Sequence, residues 1–245
     1  MRIKEETLSL SLKAARSRLS DKLHSELPLH QEIAERLVEH FDGLRLSPQL
    51  LLNLGAGGSC LSPFLKARFP QVCEIALDVI PLEPPFSITM DPFFLPFQSN
   101  TLDAVVSNLG LFWFEPRKEV FSEILRVLKP EGLFLFSTLG AGTFHGENAF
   151  PDMHDVGDDL QQVGFLNPVM EMETLTFEYD SPSLLLEDLT QWELTPWLGE
   201  NISQDEKDFS SQGLPLCFEI IYGHGWKPPL RTSSQFKTIP IKVKS

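Results

Sequence analysis

Leu29, Ile33, Leu37 and Phe41 recur every four residues through residues 25–41 (SELPLHQEIAERLVEHF), with Glu and Arg between them. That spacing predicts one apolar stripe along a helix, which Asp42-Gly43 stops. The periodicity then changes. The run LLLNLG (50–55) reads as a short, fully buried strand, and GAGGS (55–59) as the turn leaving it. Residues 62–68 return to a helical pattern, with Pro63 tolerated in the first turn. CEIALD (73–78), SITM (87–90), LDAVVSN (102–108) and LFLFST (133–138) are further strand-like runs, and 117–128 is an amphipathic helix. Residues 129–132 (KPEG) read as a turn. Strands alternating with helices at this spacing predict an α/β domain with a parallel sheet covered on both faces. Beyond it, 155–162 reads as a helix opened by an acidic cap. PVMEME (168–173) and TLTFEY (174–179) read as an antiparallel pair, 184–189 as a short helix, and CFEIIYG (217–223) as a last strand.

Length and charge narrow the class. The 245 residues suffice for one well-buried α/β domain with additions, and 42% hydrophobic residues fit a globular chain. No run approaches the roughly 20 apolar residues of a membrane span, and the mixed-charge N-terminus lacks a signal-peptide core, so the cytoplasm is the expected compartment. Cys60, Cys73 and Cys217 are isolated, which disfavours a disulfide framework or a zinc site and suggests buried small hydrophobes. A net charge of −14 argues against nucleic acid as a partner. Between Gly140 and Trp226 Lys207 is the sole Lys or Arg, whereas Lys13, Arg16, Arg18 and Lys22, and Lys227 and Arg231, concentrate positive charge towards the two ends. A basic patch built from both termini is one expectation.

Four features follow the order that a nucleoside-binding α/β sheet requires. The turn Gly55-Ala56-Gly57 leaves the first strand and permits a close backbone approach to a ligand. Asp78 ends the second strand, 23 residues after Gly55, where a carboxylate can accept both ribose hydroxyls. Asp91 and Pro92, followed by Phe93-Phe94, close the third strand with an acid beside apolar rings, which suits adenine. Ser107-Asn108 end the fourth. All four lie on the carboxyl edge, where such sheets bind ligands.

The run D-x4-PF-x4-LDAVVSNLGLFWF from Asp91, with EILRVLKPEGLFLFST up to Thr138, resembles class I S-adenosylmethionine-dependent methyltransferases. FPDMHDVGDDLQQVGFLNPVMEMETLTFEYDS (150–181) and CFEIIYGHGWKP (217–228) resemble something narrower: the malonyl-acyl-carrier-protein O-methyltransferases of biotin synthesis, and relatives that assist mitochondrial complex I assembly. The resemblance implies a Rossmann-like, mostly parallel seven-stranded sheet, S-adenosylmethionine as cofactor, and methyl transfer to the carboxylate of a malonyl thioester on acyl carrier protein. It places the methyltransferase domain at 25–229, between an extension (1–24) and a basic tail (230–245), and expects no membrane or nucleic-acid partner.

By the same resemblance Asn53, Gly55, Ala56, Gly57, Asp78, Asp91, Pro92 and Asn108 hold the cofactor. The chain departs from the family pattern at Asn53, where an acid is usual, at Ser59 in place of the loop's last glycine, and at His24 in place of a tyrosine. It is also shorter across 189–215. These departures keep a second function open, a binding or assembly protein that retains the fold. A carboxylate nucleophile is ionised at neutral pH and needs no general base, so alignment is the expected source of catalysis. Trp113, with Phe112, is expected to wall the transfer site. His154, between Asp152 and Asp155, is expected either to face the substrate or to pack beside a helix cap. A metal site at His145, Asp152 and His154 is not expected, because the spacing fits no single helical face.

Overall fold

The structure, a computed structural model, describes residues 28–56, 60–79, 87–89, 91–145, 150–179, 181–191, 194 and 214–230. The N-terminal extension, the basic tail, His24, Gly57, Ser59 and most of the 189–215 segment lie outside the described residues.

The strands are β1 (Leu50–Leu54), β2 (Cys73–Asp78), β3 (Ser87–Thr89), β4 (Leu102–Asn108), β5 (Leu128–Leu139), β6 (Leu166–Tyr179) and β7 (Leu214–Trp226). They form one sheet in the order β3-β2-β1-β4-β5-β7-β6. β3, β2, β1, β4 and β5 pair in parallel, and β7 runs antiparallel to both β5 and β6. The expected seven-stranded, mostly parallel sheet is present.

The helices are α1 (Pro28–Glu39), α2 (Ser62–Arg68), α3 (Arg117–Val127), α4 (Met153–Val163) and α5 (Pro182–Gln191). Alternate residues of the strands feed two apolar cores. Leu51, Ala104 and Val106 pack with the α1 stripe Leu29, Ile33, Leu37 and Phe41, with Leu65 of α2, and with Leu185 and Leu189 of α5. Leu52, Leu54 and Val105 pack with Val120, Phe121 and Ile124 of α3 and Val156 and Leu160 of α4. Helices thus cover both faces, which is why β1 and β4 read as continuous apolar runs. No described helix is long and apolar enough to cross a membrane.

Five local readings are corrected. The pair expected at 168–179 is a single strand, β6, whose partner is β7, far downstream. Nothing in Glu173-Thr174 turns the chain. Residues 129–132 form an irregularity within β5: Leu102 opposes Leu128, Ala104 opposes Leu133, and Glu131 takes φ 60. That insertion is held by Lys227, whose carbonyl accepts from Glu131 N and whose N–H donates to Gly132 O. The third strand ends at Thr89, before Asp91. α4 is capped by Asp152 rather than Asp155: the Asp152 carboxylate accepts from His154 N at 2.7 Å. Among the cysteines, Cys73 is exposed rather than buried.

Candidate active site

β1 leaves the sheet at Gly55, whose φ of +67 suits glycine. Gly55 N and Ala56 N donate to Leu77 O at 2.8 and 3.2 Å, so the turn folds over the end of β2. A Cβ on Gly55 would lie 2.9 Å from Gly110 Cα, and one on Gly110 would lie 2.8 Å from Ser107 Oγ. The loops after β1 and β4 therefore pass backbone against backbone, an approach that only glycine allows. Asp78 closes β2 with its side chain fully buried.

Of the other expected groups, Asn108 ends β4 as expected and Asp91 lies beyond the end of β3. Asp91 is exposed and begins a turn of its own, its Oδ1 accepting from Phe93 N at 2.9 Å. Pro92 beside it is buried. Both ends of the Asn108 carboxamide are used within the protein: Nδ2 donates to His30 O at 3.0 Å, and Oδ1 accepts from Ser137 Oγ at 2.8 Å. Asn108 therefore ties α1 and β5 to the end of β4. Cys60 sits against it, and burial pushes its thiol pKa up.

Asn53, Asp78, Gly55 and Ala56 thus come together at the carboxyl edge. Asn53 is completely buried; its Nδ2 donates to Glu74 Oε1 at 2.9 Å. Asn53 Oδ1 and Ser107 Oγ have no hydrogen-bond partner among the described residues. Two buried polar atoms in that state, at the end of parallel strands, suit a polar ligand.

Trp113 lies in a short 3-10 turn (Leu111–Trp113), 8% exposed and packed in the α3/α4 core. Phe112, which packs against both cores, begins an aromatic series that the sequence reading missed. Phe112–Phe150, Phe150–Phe144, Phe144–Phe218 and Phe218–Phe177 ring centroids are 5.9, 6.2, 5.5 and 5.7 Å apart. The series crosses from the end of β4 to the parts of β6 and β7 that project past Leu139, the last residue of β5. The apolar letters within GTFHGENAFP (142–151) were the available signal. His154 is at the surface, its side chain 85% exposed, with Nδ1 2.8 Å from Asp152 Oδ1.

A surface cavity of about 500 Å³ lies elsewhere, between α1 and the β6–β7 pair. Its polar groups are mutually engaged: Arg36 with Glu32 and Glu173, Tyr222 OH with Glu173, and the His40 ring stacked on Tyr222. Burial, with the Glu173 hydrogen bond, raises the Tyr222 pKa, so the phenol stays protonated. It is a structural lock between a helix and two strands.

Of the six cations expected to form a basic patch, Lys227 alone lies among the described residues. It follows β7 where Trp226 opposes Leu133, near the start of β5, and its Nζ donates to Asn100 Oδ1 and Leu128 O, both at 2.8 Å. That is the amino edge, opposite the glycine turn.

Comparison with known proteins decides the family. The methyltransferase domain family matches residues 52–136. The chain is 32% identical to the malonyl-[acyl-carrier protein] O-methyltransferase of Gallionella capsiferriformans, covering 91% of this chain and 92% of that one. The chain belongs to the malonyl-[acyl-carrier protein] O-methyltransferase family. The corresponding enzyme 1 of Coxiella burnetii is 33% identical, over 79% of each chain. Among solved structures, the YcgJ protein of Bacillus subtilis shares the fold, with a TM-score of 0.57 and 15% identity over 78% of this chain and 97% of that one. So does Haemonchus contortus phosphoethanolamine N-methyltransferase 2, solved with S-adenosyl-L-methionine (TM-score 0.51, 16% identity, 80% and 52% covered).

The protein is therefore an S-adenosylmethionine-dependent methyltransferase of class I fold. Its residues fit that cofactor: a buried carboxylate at the end of β2, a turn open to close backbone approach, and a buried amide oxygen beside it.

Proposed function

We propose that this methyltransferase esterifies the free carboxylate of a malonyl group carried on acyl carrier protein, as a step of biotin synthesis. Relationship to enzymes of that name over 91% and 79% of this chain is the observation that carries the reading. It favours catalysis over the assembly role that Asn53 and the short 189–215 segment left open.

Asp78 would hold the ribose hydroxyls of the cofactor and Asn53 its amino-acid end, with Gly55 and Ala56 beneath and Pro92 beside the adenine. When bound, the cofactor supplies a sulfonium methyl group open to direct displacement. The chain's own task is placement. A malonyl carboxylate arrives ionised, so no base has to take a proton from it. Phe112, Phe150, Phe144 and Phe218 form an apolar wall that excludes water, which leaves the carboxylate less solvated and more reactive once aligned. Trp113 supports Phe112 from behind, at 4.9 Å between ring centroids. His154, exposed and held by Asp152, serves the start of α4.

An acidic carrier needs positive charge near the site. Lys227 is on the wrong edge. Lys13, Arg16, Arg18 and Lys22 precede α1, whose first turn touches the end of β4 through His30 and Asn108. These four are the docking cations in this reading.

The test is incubation of purified protein with S-adenosylmethionine and malonyl-acyl carrier protein, with the intact carrier followed by mass spectrometry. A mass gain of one methyl that base hydrolysis removes supports the reading. Cofactor binding without any methyl ester on the carrier, at any ionic strength, overturns it in favour of the assembly role.

A further inference from the structure

Asn53 stands near the end of β1, where the family resemblance leads one to expect an acid, and a carboxylate lies close by. Leu51 opposes Glu74 and Asn53 opposes Ala76 in the β1–β2 register, so Glu74 lies diagonally beside Asn53. Glu74 is itself buried, and its Oε1 accepts from Asn53 Nδ2 at 2.9 Å and from Ser62 Oγ at 2.5 Å. A carboxylate only accepts, so it must face the amide nitrogen of Asn53 and never its oxygen. That fixes the carboxamide orientation. Oδ1 is turned away from Glu74, buried, and without a partner among the described residues.

Resting on the cofactor reading above, we propose that Glu74 is a positioning residue. It holds the Asn53 amide so that Oδ1 receives the ammonium of the cofactor's methionine part, and it supplies from the second strand the negative charge that the resemblance leads one to expect on the first. A buried acceptor without a donor is costly, and a cationic N–H group is the donor that relieves it best. The charge has moved one strand over, and the amide relays it.

The arrangement makes an unusual demand on substitutions. Asn53→Asp in the natural background sets two carboxylates about 3 Å apart, where both cannot stay ionised. The same change combined with Glu74→Gln restores one acid and one amide, with their strands exchanged.

Calorimetric titration of wild type, Asn53→Asp, Glu74→Gln and the double variant tests this, using S-adenosylhomocysteine and 5′-methylthioadenosine, which lacks the amino-acid part. Glu74→Gln is expected to weaken S-adenosylhomocysteine on the order of tenfold, because a neutral partner replaces a charged one and no longer dictates the amide orientation. Asn53→Asp alone should not tighten binding, and the double variant should return to wild-type affinity or better. 5′-Methylthioadenosine should bind all four alike. Thermal melts of the apo proteins identify any unfolded variant, and the double variant, which keeps one acid and one amide, carries the decision. Equal effects of Asn53→Asp in both backgrounds would remove the coupling and overturn the proposal, as would parallel losses for both ligands. A wild type that binds neither ligand removes the cofactor reading as well.

Discussion

The two edges of the same sheet treat their polar groups in opposite ways. At the amino edge, partners are saturated. Asp103 accepts from Gln49 N, Leu50 N and Lys129 Nζ at 3.0, 2.9 and 2.6 Å. Lys227 donates to three oxygens, and Arg126 spans Glu123 and the carbonyls of Leu95 and Phe97. At the carboxyl edge, Asn53 Oδ1 and Ser107 Oγ are buried and left over among the described residues, and glycine backbones touch. One edge uses its hydrogen-bonding capacity to hold strands in register; the other keeps some in reserve for a ligand. Polar residues with full partners are read as structure, and those with surplus as site.

Mutations at the two edges should therefore separate stability from binding. The largest effect is expected at the loop crossing. Gly55→Ala forces a Cβ against Gly110 Cα at positive φ, and should cost about 2–4 kcal/mol in urea unfolding as well as cofactor binding. Next is Asp78→Ala. It should weaken S-adenosylhomocysteine by roughly 1.5–3 kcal/mol, read by calorimetry, and an unchanged Kd would remove Asp78 from the ribose site.

Asp103→Asn probes the other edge. It should lower stability by about 1–2 kcal/mol at pH 7 while leaving Kd alone. Burial pulls the Asp103 pKa up, but Lys129 and the two amides outweigh it, so the folded pKa lies below the free value. The contribution is then complete above the free carboxylate pKa of about 3.9 and is lost as pH falls through the folded value. Urea midpoints of wild type and variant should converge below about pH 4; a gap constant with pH would mean that the charge is not what matters. The smallest effect belongs to His154→Ala, under about 0.5 kcal/mol in stability and less than twofold in turnover, since the ring is in solvent. A large loss of turnover there would return His154 to the substrate.

What the sequence disclosed follows the range of each interaction. The α1 stripe, the buried strands, the turn at Gly55 and the end of β2 at Asp78 were legible because periodicity and glycine chemistry act over a few residues. The hairpin expected at 168–179 failed because β6 has its partner far downstream in β7, and β-propensity carries no address. The Asn53–Glu74 pair needs the β1–β2 register, which spacing does not supply. Trp113 and Phe112 are adjacent in sequence, yet Trp113 packs in one core and Phe112 against both. Which of them meets the acceptor depends on a 3-10 turn, and no pattern marked it.

The position of β7 has a consequence for how the molecule comes into being. The last strand among the described residues is threaded between β5 and β6, both made earlier. While the ribosome is still producing residues 192–213, β6 has no neighbour and β5 presents a long apolar edge, the kind of surface on which chains stick to one another. Phe218 also arrives only then, so the aromatic wall is incomplete until the final strand inserts. Such closure through distant pairing is slow compared with the local folding of α1 or α3. A chain that folds as it emerges would have β1 to β5 in place before the β6–β7 pair, and chaperones that shield exposed β-edges would find their client there.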